Sequence, residues 1–384
     1  MPVGALVDVG PGEGSVPAWA LPAEPVVDRA ALLRFTTACF RSAGVRAADA
    51  TATADVLVLA DARGHPSHGV SRLRQYLRLV DAGSVSPRPR VTVTSRRTAI
   101  ELWDADHALG PAVAHRAMQR AIRRARRTGI AAIVVHEAGH FGIAGAYALR
   151  AMDAGMCAIA TCNGTPIIPP TGARQPALGT NPLAIGVPDG TGRGFLLDMA
   201  TSVVAGGKVE VAARRGVPIP EGWALDADGR PTTDAVAALK GMMLPLGGAA
   251  ETSGYKGYGL AAAIDLLTGV LGGGAFGLSV AGMWDTGHPS TIGQLLLAID
   301  PSAFGDRDAF FARVRAWRAE MTSRARQDGV DEILVPGDKE WRADERQRER
   351  VELVPAVLED LAQLAVERRL VRAWRPVVAA PPAG

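Results

Sequence analysis

Cysteine is scarce: Cys39, Cys157 and Cys162 are the only three in 384 residues. An odd number without paired spacing excludes a disulfide framework and points to a reducing compartment, so a cytoplasmic location is expected. Aromatic residues make up only 5% of the chain, and lysine is rare beside arginine. That imbalance reads as genomic base bias rather than function. Long apolar runs are missing too. The longest candidates, such as "GLAAAIDLLTGVLGG", are broken by Asp265 or by glycines, so no membrane span is expected. The net charge is +3, which gives no reason to invoke nucleic acid or an anionic membrane. The start, "MPVGALVDVGPGEGSVPAWALPAEP", has neither a basic n-region nor an apolar core. It does not read as a signal peptide, and residues 1–27 are expected to be a flexible leader. There is no internal repeat.

Hydrophobic residues make up 48% and charged residues 21%, as in ordinary globular chains, and the length is ample for a large core. Residues 28–43 repeat apolar positions at helical spacing behind Asp28, a plausible N-cap. A second helix is expected to end near Gly64, and a third to run from Pro66 to Gly83. Residues 90–103 alternate and read as two strands around a turn. Downstream come a helix over 110–129, a strand at 130–135, a helix opening at His140 and a strand at 156–162. Further strands are expected at "LAIGVP", "GFLLDMA" and 295–300, with a long apolar helix near 260–271. Strand and helix alternate through this middle region, so it is assigned to α/β. Charged helices follow from about Asp306.

Three motifs tempt and fail. "GGGAFG" at 272–277 matches G-x-G-x-x-G, but a helix precedes it where the dinucleotide fingerprint needs a strand. It reads instead as a glycine-rich helix exit. "HPSHG" resembles a hydrolase elbow around Ser67, yet His65 stands where a glycine must relieve crowding. His65, His68, His140 and Asp198 could supply metal ligands, but Pro66 interrupts the first pair and no second pair has fixed spacing. No metal is expected. The arginines of "RAMQRAIRRARRTG" flank an apolar stripe of Met118, Ala121, Ile122 and Ala125, which is the pattern of a solvated amphipathic helix.

The stretch "DARGHPSHGVSRLRQYL", residues 61–77, is different. On one helix, His68 and Arg72 would share a face, with Tyr76 a turn further on. A guanidinium fork can hold a carboxylate in a bidentate pair. A neighbouring imidazole can give a proton to a carbonyl oxygen or take one from a hydroxyl. The set suits a substrate with a carboxylate next to a carbonyl.

"SHGVSRLRQY" at 67–76 also resembles the signature of the malate/L-lactate dehydrogenase family of the non-Rossmann type. That family includes ureidoglycolate, sulfolactate and diketogulonate oxidoreductases and piperideine-2-carboxylate reductases. Further similar motifs follow in order: "HFGIAG" at 140, "PPTGARQPALGTNPLA" at 169, "DMATSVVAGGKVEVA" at 198, "IPEGWALDADGRPTTD" at 219, "GYKGYGLA" at 254, "AIDP" at 298 and "VPGDKE" at 335. The resemblance spans about residues 28–370. It implies a non-Rossmann NAD(P)-binding α/β domain beside a mainly helical domain formed by both chain ends, usually in a homodimer. The implied division is 28–85 helical with part of the active site, 86–305 α/β, and 306–384 helical, packing on the N-terminal helices.

The resemblance also implies roles. His68 matches the proton donor and acceptor, Ser67 its hydrogen-bonding neighbour, and Arg72 the carboxylate binder, with Tyr76 beside it. His140 matches a residue at the nicotinamide and substrate pocket, and Thr180 and Asn181 match residues lining it. Cofactor contacts are implied for His140, Phe141, Gly142, Asp198, Met199, Ala200, Gly206, Gly207, Lys208, Lys256, Gly337 and Asp338. The cofactor expected is NAD or NADP, with NAD first, and the substrate a small 2-oxo/2-hydroxy acid. Two departures bear on this. Cyclic-imine reductases of the family carry an acidic residue where Lys208 stands, so lysine favours hydroxy-acid chemistry over the imine alternative. Gly206 stands where arginine is frequent, which leaves the phosphate preference open. A catalytically silent binding subunit of the same fold is the remaining alternative, against which the intact Ser67, His68, Arg72 and His140 stand.

Overall fold

The computed structural model describes Leu21 and residues 25–379. Most of the leader expected at 1–27 lies outside the described residues. Its last two, Val26 and Val27, are already strand. Val26–Asp28 pairs antiparallel with Arg350–Glu352 and so ties the two ends of the chain together. Asp28 then caps the helix Arg29–Ser42, its carboxylate accepting the Ala31 N–H at 2.6 Å. Capping one of the four orphan amides in this way stabilises a helix by about 1 kcal/mol.

Both chain ends share one core. The helices Arg29–Ser42, Ala47–Ala62 and Leu73–Asp81 pack with Pro355–Glu367 and Val371–Val378 around Leu32, Phe35, Phe40, Leu361 and Trp374. Trp374 is fully enclosed, with its ring centroid 4.8 Å from that of Phe35. The charged helix Arg307–Thr322 does not join this core, contrary to the expected packing of residues 306–384. It lies on the edge of the sheet, where Trp317 packs on Phe195 at 5.8 Å and Arg318 pairs with Asp338. Its only buried residue is Val314, so it has no wide apolar face to offer the N-terminal helices.

The second core surrounds a seven-stranded sheet. Its spatial order is Thr92–Arg97, Ile100–Ala108, Ile130–Ala138, Ile292–Ile299, Cys157–Cys162, Leu183–Val187 and Phe195–Met199. Only Ile100–Ala108 and Ile130–Ala138 run parallel, with every other neighbouring pair antiparallel. The helices Gly110–Thr128 and Gly145–Asp153 cover one face with an alanine-rich surface that lets helix and strand approach closely. Of the six arginines of Gly110–Thr128, Arg123, Arg126 and Arg127 are exposed, and Arg116, Arg120 and Arg124 pair with carboxylates. Arg120 and Arg124 converge on Glu101, which is 1% exposed and also accepts the Trp103 indole N–H at 2.9 Å. Residues 204–243 form a third, smaller core around Val209, Ile219 and Met243.

Several boundaries shift for physical reasons. Pro66 does not start one long helix. Pro66–His68 and Val70–Arg72 are separate 3₁₀ turns with extended Gly69 between them, and the α-helix begins at Leu73. The helix expected from His140 starts at Gly145. The apolar helix is Gly254–Asp265, continued by a π turn at Leu266–Val270. "GGGAFG" follows that turn as a helix exit into an irregular loop.

Candidate active site

The site forms where the two large cores meet. The paired 3₁₀ turns aim Ser67, His68 and Arg72 from the helical core. The loop after Ile130–Ala138 brings His140 from the sheet core. The rings of His68 and His140 lie 5.9 Å apart at an angle of 25°. The His140 backbone is held tightly, because a Cβ on Gly110 would stand 2.2 Å from the His140 carbonyl oxygen. No side chain fits there, which fixes glycine at the start of the helix Gly110–Thr128.

The hydrogen bonds assign the protons. Ser67 Oγ and His68 Nδ1 are 2.9 Å apart. A hydroxyl can donate or accept, so either neutral tautomer of His68 is served and Nε2 is left for a substrate. At His140 two groups converge on Nδ1: the Tyr76 hydroxyl at 2.7 Å and the Gly142 N–H at 3.3 Å. An amide N–H only donates, so Nδ1 accepts and the His140 proton is assigned to Nε2. Burial, with Arg72 and His65, pushes His68 down to about 4. Burial, with His68 and Arg72, pushes His140 down to about 3. Both imidazoles are therefore neutral near pH 7.

His68 and Arg72 do not share a helical turn; Arg72 instead bonds back across the 3₁₀ break to Ser67. Arg72 Nε donates to the Ser67 carbonyl at 2.7 Å. Its two terminal nitrogens make no hydrogen bond to the protein among the described residues, so the fork remains available. Trp284 lies over it, the guanidinium carbon 5.2 Å from the indole centre. Gln75 holds the Trp284 loop by donating to the Met283 carbonyl at 2.7 Å. Trp284 was not legible as a site residue, since it lies far along the sequence in a polar loop.

A second group of expected residues meets beside this one. Asp198 accepts the Gly145 N–H at 2.8 Å. Burial raises its pKa, opposed by His65, the Gly145 amide and Arg63, while Glu340 raises it further. Asp198, His65, Arg63 and Glu340 thus share one electrostatic neighbourhood. Arg63 lies under the Trp341 ring at 5.1 Å; among the described residues its terminal nitrogens have no hydrogen-bond partner, and one of them stands 4.0 Å from the Asp344 carboxylate. A Cβ on Gly337 would meet that same ring at 1.9 Å. Met199 pairs with Leu183 across the sheet edge, and Ala200 follows it out of the strand.

Gly206 and Gly207 open the helix Gly206–Arg215, and a Cβ on Gly207 would stand 3.5 Å from Ser67 Cβ. This helix start has no side-chain cap, and its Gly206 and Gly207 amides, positive by the helix dipole and close to Ser67, fit a phosphate-bearing dinucleotide. Lys208 is exposed on the same turn.

The remaining expected residues make contacts within the protein or lie exposed. Asn181 is fully enclosed and donates to the Ala261 carbonyl at 2.8 Å. The Thr180 carbonyl accepts the Thr201 N–H and hydroxyl, both at 2.8 Å. Phe141 is buried, its carbonyl taken by the Tyr147 hydroxyl. Asp338 accepts the Val335 N–H at 2.9 Å and pairs with Arg318, so it holds a turn. Lys256 is exposed on the helix Gly254–Asp265.

The profile of the malate/L-lactate dehydrogenase family matches residues 27–362. The chain belongs to that family. Among curated relatives, L-sulfolactate dehydrogenase of Methanothermobacter thermautotrophicus is 41% identical over 82% of this chain and 89% of its own. Malate dehydrogenase of Pyrococcus horikoshii is 37% identical over 87% of this chain and 93% of its own. The solved sulfolactate dehydrogenase of Methanocaldococcus jannaschii superposes with a TM-score of 0.82 at 35% identity, covering 90% of this chain and 98% of that one. The Δ1-piperideine-2-carboxylate reductase of Pseudomonas syringae superposes at 0.78 with 29% identity, covering 88% and 99%. The mixed, mainly antiparallel sheet is therefore the sheet of this dehydrogenase family and not a Rossmann sheet.

Proposed function

We propose that the protein is an NAD(P)-dependent oxidoreductase acting between a small 2-oxo acid and the matching 2-hydroxy acid. The observation that carries this reading is the trio of Ser67, His68 and Arg72, with the imidazole and the free guanidinium fork set side by side. Arg72 binds the substrate carboxylate through its terminal nitrogens. His68 exchanges a proton with the C2 oxygen through Nε2, and Ser67 accommodates either tautomer. His140, donating from Nε2, orients the same oxygen or the nicotinamide carboxamide. A bound NAD(P), its phosphate held at the Gly206–Gly207 turn, would supply or accept the hydride. The substrate carboxylate offsets the charge of Arg72 and so raises the proton affinity of His68 when it is needed as an acid.

NAD is placed first in this reading and NADP second, and the paired nucleotide titrations decide between them. Reduction of a cyclic imine carboxylate is the second reading, favoured by the likeness to the piperideine-2-carboxylate reductase. Lys208 weighs against it, since lysine cannot serve as the acid of a relay. A homodimer is proposed from the exposed apolar face formed by Leu266, Leu267, Val270, Leu271 and Phe276, which are 46–63% exposed. A cytoplasmic location is proposed from three free cysteines. Helices among the described residues are too short or too polar to cross a membrane.

The test is fluorescence titration of NADH and NADPH, then loss of 340 nm absorbance against pyruvate, oxaloacetate, 2-oxo sugar acids and piperideine-2-carboxylate, with ureidoglycolate in the oxidative direction. Turnover of an acyclic 2-oxo acid supports the reading. Turnover of the imine alone replaces it with the second, and binding of neither nucleotide refutes both.

A further inference from the structure

His68 and Arg72 sit on two short turns, and short 3₁₀ turns hold their own geometry weakly. Something outside them must set their separation. The point between them is Gly69–Val70, and it rests on Asp61. Asp61 lies near the end of the helix Ala47–Ala62 and is 4% exposed. Its Oδ2 accepts the Val70 N–H at 2.7 Å. Among the described residues that amide is its only side-chain hydrogen-bond partner, and no arginine or lysine pairs with it. A carboxylate buried with a single backbone partner is costly to keep. Burial pushes it up to about 7, with the Val70 amide opposing.

The fit on the other side is equally tight. A Cβ on Gly69 would stand 2.1, 2.2 and 2.3 Å from Asp61 Oδ1, Cγ and Oδ2, its three nearest atoms. Only glycine lets the backbone rest on the carboxylate. From Gly69 the restraint runs both ways. Its N–H donates to the Pro66 carbonyl at 3.3 Å, and its carbonyl accepts the Arg72 N–H at 3.0 Å.

We infer that Asp61 is a positioning residue for the dehydrogenase site: its carboxylate clamps the Gly69–Val70 backbone and thereby sets His68 against Arg72. The inference rests on the roles proposed above for those two residues. It concerns alignment between proton donor and carboxylate binder, not cofactor capture. A misplacement of about 1 Å in such a pair costs on the order of a hundredfold in rate.

The test uses the full chain and four variants: D61A, D61N, G69A and D61A/G69A. NADH or NADPH affinity is read by fluorescence. Oxamate, a carboxylate next to a carbonyl, is then titrated onto the cofactor-loaded protein, and kcat and KM are measured with the best acid of the panel. Asn keeps an acceptor for the Val70 N–H, so D61N should stay within about threefold of wild type. D61A should weaken oxamate binding and lower kcat/KM by about tenfold or more, with cofactor affinity within about twofold. G69A should resemble D61A. In the double variant the collision is gone, so its loss should be smaller than the two single losses combined.

Wild-type behaviour in D61A overturns the clamp. So does a D61N as poor as D61A, or a parallel loss of cofactor affinity and Tm, which marks a merely structural role. Full turnover in H68A, or no oxamate binding by wild type, defeats the proposed function instead. The clamp is then judged by hydrogen exchange over residues 69–76. Protection lost in D61A and kept in D61N supports it, and unchanged protection in D61A overturns it.

Discussion

The Tyr76→Phe variant tests the proton assignment at His140. Tyr76 is 1% exposed, and its ring packs edge-on against Phe40 at 6.2 Å. Phenylalanine keeps that ring, so no cavity opens and the change isolates one hydroxyl. That hydroxyl is the nearer of the two donors on His140 Nδ1, at 2.7 Å. Without it Nδ1 keeps only the Gly142 N–H at 3.3 Å. Depriving a buried acceptor of its partner costs about 1–3 kcal/mol. Unfolding entropy near 2.1 cal/mol/K per residue gives roughly 800 cal/mol/K for the chain, so Tm should fall by only about 1–4 °C. The effect on turnover should be larger than this suggests. The His140 ring loses what fixes its tautomer, and a free Nδ1 invites protonation, so the His140 pKa should rise. We expect kcat to fall about tenfold, with the acid limb of the pH–rate profile moving to higher pH. Turnover, pH profile and differential scanning are measured on the same preparation. Wild-type kcat with an unmoved acid limb refutes the assignment.

Other outcomes follow from the same geometry. His68→Ala should lower kcat by about 10²–10⁴ while nucleotide titrations stay unchanged. Arg72→Lys keeps charge but loses the planar fork, so KM for the acid should rise about tenfold with a smaller change in kcat. Trp284→Ala removes a cation–π contact worth about 0.5–1 kcal/mol from an exposed ring, so KM should move a few-fold and Tm should not. Trp374→Ala opens a cavity in the shared core of the chain ends and should destabilise by about 3–5 kcal/mol, read by urea unfolding. Stability should also fall in acid. His68 and His140 bind fewer protons folded than unfolded between their ordinary pKa of 6.5 and about 4. Each therefore stabilises the fold above pH 6.5, and that contribution is lost as pH falls. Asp61, raised to about 7, works in the opposite direction and offsets one of the two. His115, pushed down to about 4 chiefly by burial, adds to the histidine share, while the raised Asp153, Asp198 and Asp265 oppose it as Asp61 does. Each depressed histidine alone contributes up to about one proton, or ~1.4 kcal/mol per pH unit, between 6.5 and 4. The drop in stability from about pH 7 to 4.5 should therefore be smaller in His68→Ala than in wild type by urea unfolding, and equal drops contradict the shift.

The elements with a strong period were legible in the sequence, because their burial is decided locally. Asp28 as N-cap, the alanine stripe beside Met118 and the β-branched run at 130–135 all fold as their patterns dictate. The 61–77 stretch was legible by composition but not by conformation. A helix through Pro66 would have placed His68 and Arg72 on one face. The chain instead breaks at extended Gly69, where the Val70 N–H is taken by the Asp61 carboxylate. Asp61 and Gly69 lie eight residues apart, and nothing in their spacing announces a contact. Trp284 and Trp341 were invisible as partners of Arg72 and Arg63 for a simpler reason: the contacts are tertiary, and neither arginine carries a mark of what will cover it.

The strand directions were hidden as well, and they matter for the site. Alternating strands and helices suggest crossovers, yet only one neighbouring pair of the sheet is parallel. That pair, Ile100–Ala108 beside Ile130–Ala138, is joined by the helix Gly110–Thr128, which opens against the His140 carbonyl. The crossover thus delivers His140 at the end of one parallel strand and the close-packed Gly110 at the end of the other. Tyr76, anchored in the core of the chain ends, reaches over to fix the His140 ring. One imidazole is therefore set by the sheet and the other by the clamped turn at Gly69. The reacting geometry depends on how the two cores meet, so a cavity at Phe40 beneath Tyr76 should lower kcat before it lowers Tm appreciably. A Phe40→Leu variant whose activity falls only in step with its stability would argue that the seam between the cores plays no part in alignment.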